Sequence, residues 1–304
     1  CEAGTYAIKI YASQYTTEPL IKTVTVVSQT YNFEAGYTVN SNNNTTFQNT
    51  TKTLKGVLRI TNNSTLLIKD AMLKMSPNAH IVVERGSKLI VNNATITSFP
   101  PYNCMTGTWL GIEVWGNTDV ASRHQVYFNV VYNNDNLPPI TDYETAPIPL
   151  TGPGVVVLKN NALLEYGPLG TIVTQRTDGY YPNHYGGIVV AQDATFLNCK
   201  KGVGFMKYRY ENYSYFSRCH FISNNNNLPN AKFEGITAWA CNGIVVDDCT
   251  FDYQTTTNTT NDRFGITTTD NLNLIVRNKC KFNLLNQAIS LGAGNYLNGS
   301  ATIT

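Results

Sequence analysis

A three-residue pattern recurs along most of this chain: a small residue, then a variable residue, then an aliphatic or aromatic residue. Successive instances mostly lie 21 to 32 residues apart, which matches the length of one coil of a parallel β-solenoid. Runs rich in Ala, Leu, Glu and Lys are almost absent, so we expect no long helix between the instances. The pattern therefore predicts an all-β molecule of stacked coils. The instances are Ala71-Met72-Leu73, Ala94-Thr95-Ile96, Ala162-Leu163-Leu164, Ala194-Thr195-Phe196, Cys219-His220-Phe221, Cys249-Thr250-Phe251, Cys280-Lys281-Phe282 and Ala301-Thr302-Ile303.

A second marker, a small residue that opens an apolar run, predicts a second strand in each repeat. Alternate side chains of a strand point to opposite faces, so each inward residue stacks on its equivalent one coil away. We predict a right-handed parallel β-helix of about ten coils, about 50 Å long at about 4.8 Å per coil. The second markers are Gly111-Ile112, Gly154-Val155, Gly187-Ile188, Gly235-Ile236, Gly265-Ile266 and Ala288-Ile289. The predicted inward residues are Leu67, Ile81, Val83, Ile90, Ile96, Ile112, Val156, Ile188, Phe196, Phe221, Ile244, Phe251, Ile266 and Phe282.

Three of the seven cysteines open the pattern in successive repeats: Cys219, Cys249 and Cys280. We expect them to form a buried, reduced ladder that Cys199 extends. Use of this ladder in a disulfide or a metal site is the alternative, but zinc sites need closely spaced pairs such as CxxC, which the sequence lacks. A disulfide that involves Cys104 or Cys241 stays open.

The first 55 residues differ from the rest, because the polar tract 40–53 separates an initial strand-rich piece from the repeats. We expect residues 1–55 to form a β-rich cap or the tail of a preceding domain, and residues 56–304 to form the β-helix. A cap is needed because the end of a solenoid exposes unpaired strand edges and an open core. A leading Cys1 fits either the lipid-bearing residue of a lipoprotein or a fragment boundary, and we prefer the boundary.

Composition excludes two classes of partner. Charged residues make up 14% of the chain and the formal net charge is +2, so no basic patch predicts binding to nucleic acid or to an anionic membrane surface. No run of eighteen apolar residues is present, so we expect no transmembrane segment.

Two stretches of the sequence carry a family resemblance. Residues 56–98, with the segment ERGSKLIV and the following NATIT, and residues 109–117, WLGIEVWGN, resemble secreted β-helix proteins of the Bacteroidetes. Proteins of that family typically carry a C-terminal sorting domain for type IX secretion, and this sequence contains no such domain. The resemblance implies a right-handed parallel β-helix, export across the outer membrane, and a place on the bacterial surface or in the medium. It implies little about activity, since most members are large multidomain proteins of unassigned or adhesive role.

The sequence offers weak candidates for catalysis. A β-helix hydrolase needs paired carboxylates, and the nearest candidates are Asp247, Asp248 and Asp252. Adjacent Asp247 and Asp248 point to opposite faces of a strand, which favours a role in a turn. A calcium-dependent lyase needs clustered carboxylates beside a basic residue. The scattered Asp262, Asp270, Arg263 and Arg277 do not provide such a cluster.

The four histidines, His80, His124, His184 and His220, show neither HxH nor HExxH spacing. His220 alternates outward between the inward Cys219 and Phe221, and we expect it to be solvated. We therefore predict no catalytic residue, no metal ligand and no cofactor.

Two tyrosine-rich runs, 178–185 and 208–215, lie outside the strand pattern. We expect both to emerge as neighbouring loops that form one patch, because tyrosine offers flat apolar area with a hydroxyl group at a modest entropic cost. The alternative is that the tyrosines pack against the flank of the helix. The candidate ligand-binding residues are Tyr180, Tyr181, Tyr185, Tyr208, Tyr210, Tyr213 and Tyr215.

These observations favour a non-catalytic extracellular or cell-surface scaffold or adhesin, with surface glycans or other surface proteins as its partners. One alternative is a polysaccharide lyase or glycoside hydrolase of the pectin-active β-helix type. Another is a subunit of an extracellular filament, in which exposed coil edges or flanks meet the next copy, so self-association is also considered.

Overall fold

A computed structural model describes residues 4–10, 20–26, 34–40, 44–99, 109–119, 136–224, 233–254, 263–292 and 301–304. These residues form strands, one six-residue helix, α1 (Ile140–Thr145), and one 3-10 turn (Pro182–His184). No helix in these ranges is long and apolar enough to cross a membrane. The strands are β1 (Gly4–Ile10), β2 (Leu20–Val26), β3 (Glu34–Val39), β4 (Asn44–Gln48), β5 (Thr51–Ile60), β6 (Thr65–Lys69), β7 (Met72–Met75), β8 (His80–Val83), β9 (Lys88–Asn92), β10 (Thr95–Ser98), β11 (Ile112–Val114), β12 (Val155–Lys159), β13 (Leu163–Glu165), β14 (Leu169–Val173), β15 (Ile188–Gln192), β16 (Thr195–Leu197), β17 (Lys201–Phe205), β18 (Tyr208–Ser217), β19 (His220–Ser223), β20 (Phe233–Trp239), β21 (Cys241–Asp247), β22 (Thr250–Tyr253), β23 (Arg263–Thr269), β24 (Leu272–Arg277), β25 (Lys281–Asn283), β26 (Gln287–Gly292) and β27 (Ala301–Ile303).

Each strand from β5 to β24 pairs in parallel with the strand three places further along, so the chain winds as a parallel β-helix with three strands per coil. We call the columns sheet 1 (from the first half of β5 through β7 to β25), sheet 2 (from β3 and the second half of β5 through β8 to β26) and sheet 3 (from β4 through β6 to β27). Sheet 3 contains nine described strands, so the described part has nine coils where about ten were predicted. The prediction of a parallel β-helix is confirmed. The prediction of two strands per repeat was wrong. Each coil has a third strand, because the turns between strands are short.

The first pattern marks sheet 1. Ala71, Ala94, Ala162, Ala194 and the three ladder cysteines each precede a strand of this sheet. The last instance, Ala301-Thr302-Ile303, lies instead in sheet 3, where Ala301 pairs with Leu274. Two second markers, at Gly154 and Gly187, also open strands of sheet 3. The remaining second markers belong to sheet 2, where Gly111 directly precedes β11 and Gly235, Gly265 and Ala288 lie inside their strands.

Four phenylalanines form the centre of the core in sheet 1. Phe196, Phe221, Phe251 and Phe282 stack with ring centroids 4.6, 4.7 and 5.0 Å apart and with planes within 4° of parallel. This spacing equals the distance of about 4.7–4.9 Å between paired strands. Gly235 of sheet 2 faces this stack, and a Cβ atom there would lie 2.4 Å from the ring of Phe251. The stacked rings therefore require a residue without a side chain on the opposite sheet.

The cysteine ladder lies beside the phenylalanines. The backbone N–H of Cys219 lies 3.4 Å from Sγ of Cys249, and that of Cys249 lies 3.4 Å from Sγ of Cys280. All three thiols are free, as predicted. Cys199 does not extend the ladder, because Ala194 occupies the equivalent position one coil before Cys219. Cys241 is also free and buried, whereas Cys104 lies outside the described residues.

Asparagine and aspartate form the tight turns between sheets 3 and 1. Several residues there have a positive φ, near 50°, a conformation that Asn and Asp tolerate better than other residues with a side chain. Amide side chains connect neighbouring turns, as in the bond of 2.7 Å from Asn93 Nδ2 to Asp70 Oδ1. The residues are Asn49, Asp70, Asn93, Asn160, Asn161, Asp193, Arg218, Asp248, Asn278 and Lys279.

Most of the predicted inward residues lie in the central core. Ile81, Val83, Ile96, Ile112, Val156, Phe196, Phe221, Ile244, Phe251 and Ile266 are buried there, and Phe282 is partly buried against it. Leu67, Ile90 and Ile188 were placed wrongly, because they belong to a second apolar cluster on the outer face of sheet 3. Strands of this sheet are apolar on both faces in these coils, so alternation did not indicate which face is inside.

The segment 136–150 covers this outer face, and we call it the strap. Ile140, Tyr143 and Ile148 of the strap are buried in the outer cluster. The Nζ atom of Lys88 donates hydrogen bonds of 2.8 and 2.5 Å to the carbonyls of Glu144 and Ala146, just at the end of α1. These contacts satisfy carbonyls that the helix itself leaves unpaired.

The N-terminal strands divide into two groups. β1 and β2 form an antiparallel pair in a sheet of their own. β3 and β4 pair in parallel with β5 and β6, so they are already part of the β-helix sheets. The expected boundary after residue 55 falls inside β5, which continues from sheet 1 into sheet 2 through Gly56.

We expect Phe251→Ala to lower the free energy of unfolding by about 3–5 kcal/mol, because the variant loses a buried ring and leaves a cavity. Phe251 lies between two rings, whereas Phe282 is half-buried and stacks on one described ring. Phe282→Ala should therefore cost clearly less. Urea denaturation followed by circular dichroism measures both losses. Equal losses would contradict the stabilising role of the phenylalanine stack.

The stability that Lys88 contributes at the strap should depend on pH. Burial lowers the pKa of Lys88 to about 8 from 10.5, and nearby Glu144 opposes the shift. Between these pH values the unfolded chain binds more protons than the folded chain, so the contribution of Lys88 to stability rises with pH. We expect the free energy of unfolding of the wild type, relative to Lys88→Met, to increase from pH 8 to pH 10.5 in urea titrations. A difference that stays flat or falls across this window contradicts the assignment.

Candidate ligand-binding groove

A groove of about 300 Å³ lies where the chain turns from sheet 2 into sheet 3. Four successive coils contribute, because this corner follows β11, β14, β17 and β20. Stacking of the coils thus gathers residues that are far apart in sequence. The lining residues are Thr118, Asp119, Tyr180, Pro182, Tyr185, Lys207, Arg209 and Trp239.

The corner that follows β14, residues 174–187, forms one wall of the groove, and side chains hold it in place from two sides. The guanidinium of Arg176 lies 4.8 Å from the ring centre of Trp115 and 4.0 Å from that of Tyr181. Arg176 also donates two hydrogen bonds to Asp178, of 2.5 and 2.9 Å. His184 packs edge-on against Trp115, with ring centres 5.1 Å apart.

Arg85 fastens the same wall from the corner that follows β8, two coils before the corner that follows β14. Its guanidinium donates hydrogen bonds of 2.7 Å to the carbonyl of Gly116 and of 2.5 Å to the carbonyl of Asn183. Asn183 lies in the 3-10 turn between the groove residues Pro182 and Tyr185. The wall is therefore tied to two neighbouring coils by charge-assisted hydrogen bonds.

The aromatic residues of the groove differ in exposure. Tyr180 is 84% exposed, and Tyr185 is buried at the base. Burial, and then the nearby Tyr180 hydroxyl, raises the pKa of Tyr185. Tyr208 is fully buried beneath the corner. Its ring occupies the space beside Gly186, where a Cβ would lie 2.4 Å away and where φ is +91°.

The charges of the groove are unequal. Lys207 and Arg209 are exposed on the same face of the chain, two residues apart. The guanidinium of Arg209 lies 4.6 Å from the ring centre of Tyr210 and donates a hydrogen bond of 2.6 Å to its hydroxyl. Asp119 is an acidic residue of the lining, and its charge favours the protonated form of neighbouring Arg85, whose pKa is lowered by burial. The side of the groove formed by Lys207 and Arg209 is thus cationic.

The predicted tyrosine patch is partly assembled. Tyr180 and Tyr185 line the groove, half-buried Tyr210 supports Arg209, and half-buried Tyr181 packs on Arg176. The expectation that 208–215 is a loop was wrong, because it forms most of β18, a strand with two register shifts. Tyr208 is buried below the groove, while Tyr213 and Tyr215 are buried in the outer cluster of sheet 3.

The strap explains the burial of the last two tyrosines. Tyr143 of α1 packs on Tyr215 with ring centres 5.9 Å apart, and its hydroxyl donates a hydrogen bond of 2.6 Å to the carbonyl of Tyr213.

The sequence analysis did not identify Trp239, Lys207 and Arg209 as groove residues. The alternation of Lys207 and Arg209 around Tyr208 was a usable signal, whereas nothing local marks Trp239.

The aspartates considered for catalysis have structural partners. Asp247 accepts hydrogen bonds from Arg277 (3.2 Å) and Asn278 (2.8 Å), both one coil away. Asp248 occupies a left-handed turn, with φ of 50°, as predicted. Asp252 accepts a hydrogen bond of 2.7 Å from Gln254.

The other residues considered for catalysis or metal binding lie apart from one another. Asp270 is buried in a turn, Arg263 packs on Tyr253, and His220 is exposed on sheet 1 as expected. Asp262 and His124 lie outside the described residues. Among the described residues, no group of three His, Cys, Asp or Glu side chains is arranged to hold a metal ion.

Comparisons of the chain with protein-family models, with curated proteins and with solved structures gave no match. Function is therefore inferred from the groove and its surroundings.

Proposed function

We propose that this protein is a non-catalytic scaffold or adhesin at the surface of a bacterium, or secreted from it, and that it binds glycans in the groove. The observation that supports this proposal is the combination of aromatic and cationic side chains at one fixed corner: Tyr180, Tyr185 and Trp239 beside Lys207 and Arg209. Aromatic rings offer flat apolar faces to sugar rings, while their hydroxyl and indole N–H groups bind sugar hydroxyls.

The β-helix suits a spacer. Nine coils that rise about 4.8 Å each form a rod about 38 Å long between the first and last described strands of sheet 3. Contacts pass from coil to coil, so the groove is held at a fixed place on a stiff body. Export by type IX secretion is part of this proposal and rests on the resemblance of residues 56–98 and 109–117 to secreted Bacteroidetes proteins.

A polysaccharide-degrading enzyme is the competing class. The carboxylates Asp247, Asp248 and Asp252 lie at the end of a strand of sheet 3, in the turn that follows, and in sheet 1, and Asp247 and Asp252 accept hydrogen bonds from neighbouring side chains. They lie on strands and turns that contribute nothing to the lining of the groove. Release of reducing ends or unsaturated products from acidic polysaccharides, lost on changing Asp247, would overturn the scaffold proposal.

We expect Tyr180→Ala to weaken glycan binding about tenfold, the effect of truncating an aromatic residue that contributes about 1.4 kcal/mol to a contact. Tyr180 is 84% exposed, so the variant should fold normally. Binding is measured on a glycan array and then by titration calorimetry with the best ligand. Tyr37→Ala, at a tyrosine 40% exposed outside the groove, is the matched control and should leave binding unchanged. Unchanged binding by folded Tyr180→Ala, or an array with no signal, would refute the proposal.

A further inference from the structure

The basic residues near the groove divide into two groups. Arg85 and Arg176 have their guanidinium groups occupied by backbone carbonyls, by Asp178 and by the ring faces of Trp115 and Tyr181. These two residues build the wall. Lys207 and Arg209 instead line the open groove itself and are exposed to solvent.

Tyr210 holds Arg209 in one orientation. The hydrogen bond from Arg209 to the Tyr210 hydroxyl uses one Nη2 donor, and the ring of Tyr210 lies against the guanidinium. A guanidinium has five N–H donors in a fixed planar arrangement, so donors remain for a ligand. An arginine that is already oriented loses little entropy when it binds a carboxylate or sulfate group.

Asp119 has a counter-charge in the wall of the groove. It lines the groove but interacts electrostatically with Arg85, which is tied to the wall by two hydrogen bonds. Two cations therefore face the cavity beside Tyr180 and Trp239, while the carboxylate of the lining is balanced from behind. An anionic group therefore forms stronger hydrogen bonds here than a neutral hydroxyl does.

We propose that the groove selects anionic glycans, with a sugar ring packed on the aromatic residues Tyr180 and Trp239 and its carboxylate or sulfate group bound by Lys207 and Arg209. This assignment rests on the proposed function, and it adds the chemical class of the ligand. The volume of about 300 Å³ is at the lower end of the range for small-ligand sites, about 300–1,000 Å³. The groove thus accepts a short stretch or a branch of a polysaccharide.

The test compares two ligands that share one sugar chain and differ in the charge of its carboxyl groups: an oligogalacturonate and the same oligosaccharide with its carboxylates methyl-esterified. Titration calorimetry measures binding to the wild type and to the double variant Lys207→Gln/Arg209→Gln. We expect the wild type to prefer the acid form at least about tenfold, and the double variant to lose that preference, because only the acid form accepts charge-assisted hydrogen bonds from Lys207 and Arg209. Affinity of the wild type for the acid form should also fall with added salt.

A matched double variant controls for net charge. Lys279→Gln/Lys281→Gln removes the same two positive charges at exposed positions in a turn and a strand of sheet 1, which do not line the groove. It should bind the acid form like the wild type. If both double variants weaken binding equally, the effect is a general one of net charge and the site assignment is wrong.

Other outcomes separate this inference from the function on which it rests. Equal binding of the acid and its ester, with Tyr180→Ala still defective, leaves glycan binding in place and overturns the anionic class. Absence of binding to the acid, the ester and a sulfated oligosaccharide overturns both. A short poly-glutamate peptide that competes as well as the acid form shows recognition of charge without the sugar, and this also overturns the assignment.

Discussion

The structure depends on one constraint: every inward side chain must stack on its equivalent one coil away. The phenylalanine stack shows it most directly, since the distance between its rings, 4.6–5.0 Å, is set by the hydrogen bonds between strands. A coil alone cannot bury such a ring, because both faces need a neighbour. The opposite sheet must then leave space, as Gly235 does. Sequence repetition follows from this geometry.

The same constraint decides what the sequence reveals. Sheet 1 was predictable because Ala or Cys before an inward aliphatic or phenylalanine residue repeats with little variation, and no residue directly beside such an inward residue is fully buried. Sheet 3 was not, since Val155 and Val157 face the strap while Val156 and Leu158 face the core. Alternation carries information when one face is polar. Here a distant segment covers the outer face, and its docking cannot be deduced from the strand itself.

The groove shows a similar division. The tyrosine-rich sequence correctly indicated the corner around Tyr180. It also predicted Tyr213 and Tyr215 as ligand-binding residues, but these two are buried below the strap. Trp239 reaches the groove because its corner stacks two coils after that of Tyr180. That relation depends on how many residues each coil contains, and coil lengths vary in this chain. Residues 118, 180, 209 and 239 therefore lie close together because their corners stack in successive coils. No local sequence pattern shows which corners will stack.

Stacking restricts sequence variation in the core but leaves the corners free to vary. A residue at the corner between sheets 2 and 3 lies outside the stacked core, so insertions there change the surface without disturbing the stack. The corner after β14 is nevertheless fixed, since Arg85 and Arg176 bind its backbone and rings. A wall that is ordered before binding spares the ligand the cost of ordering it. The stacked core thus supplies a rigid frame, and charged side chains of neighbouring coils extend that rigidity to a surface where recognition of a ligand can evolve by changes at single corners.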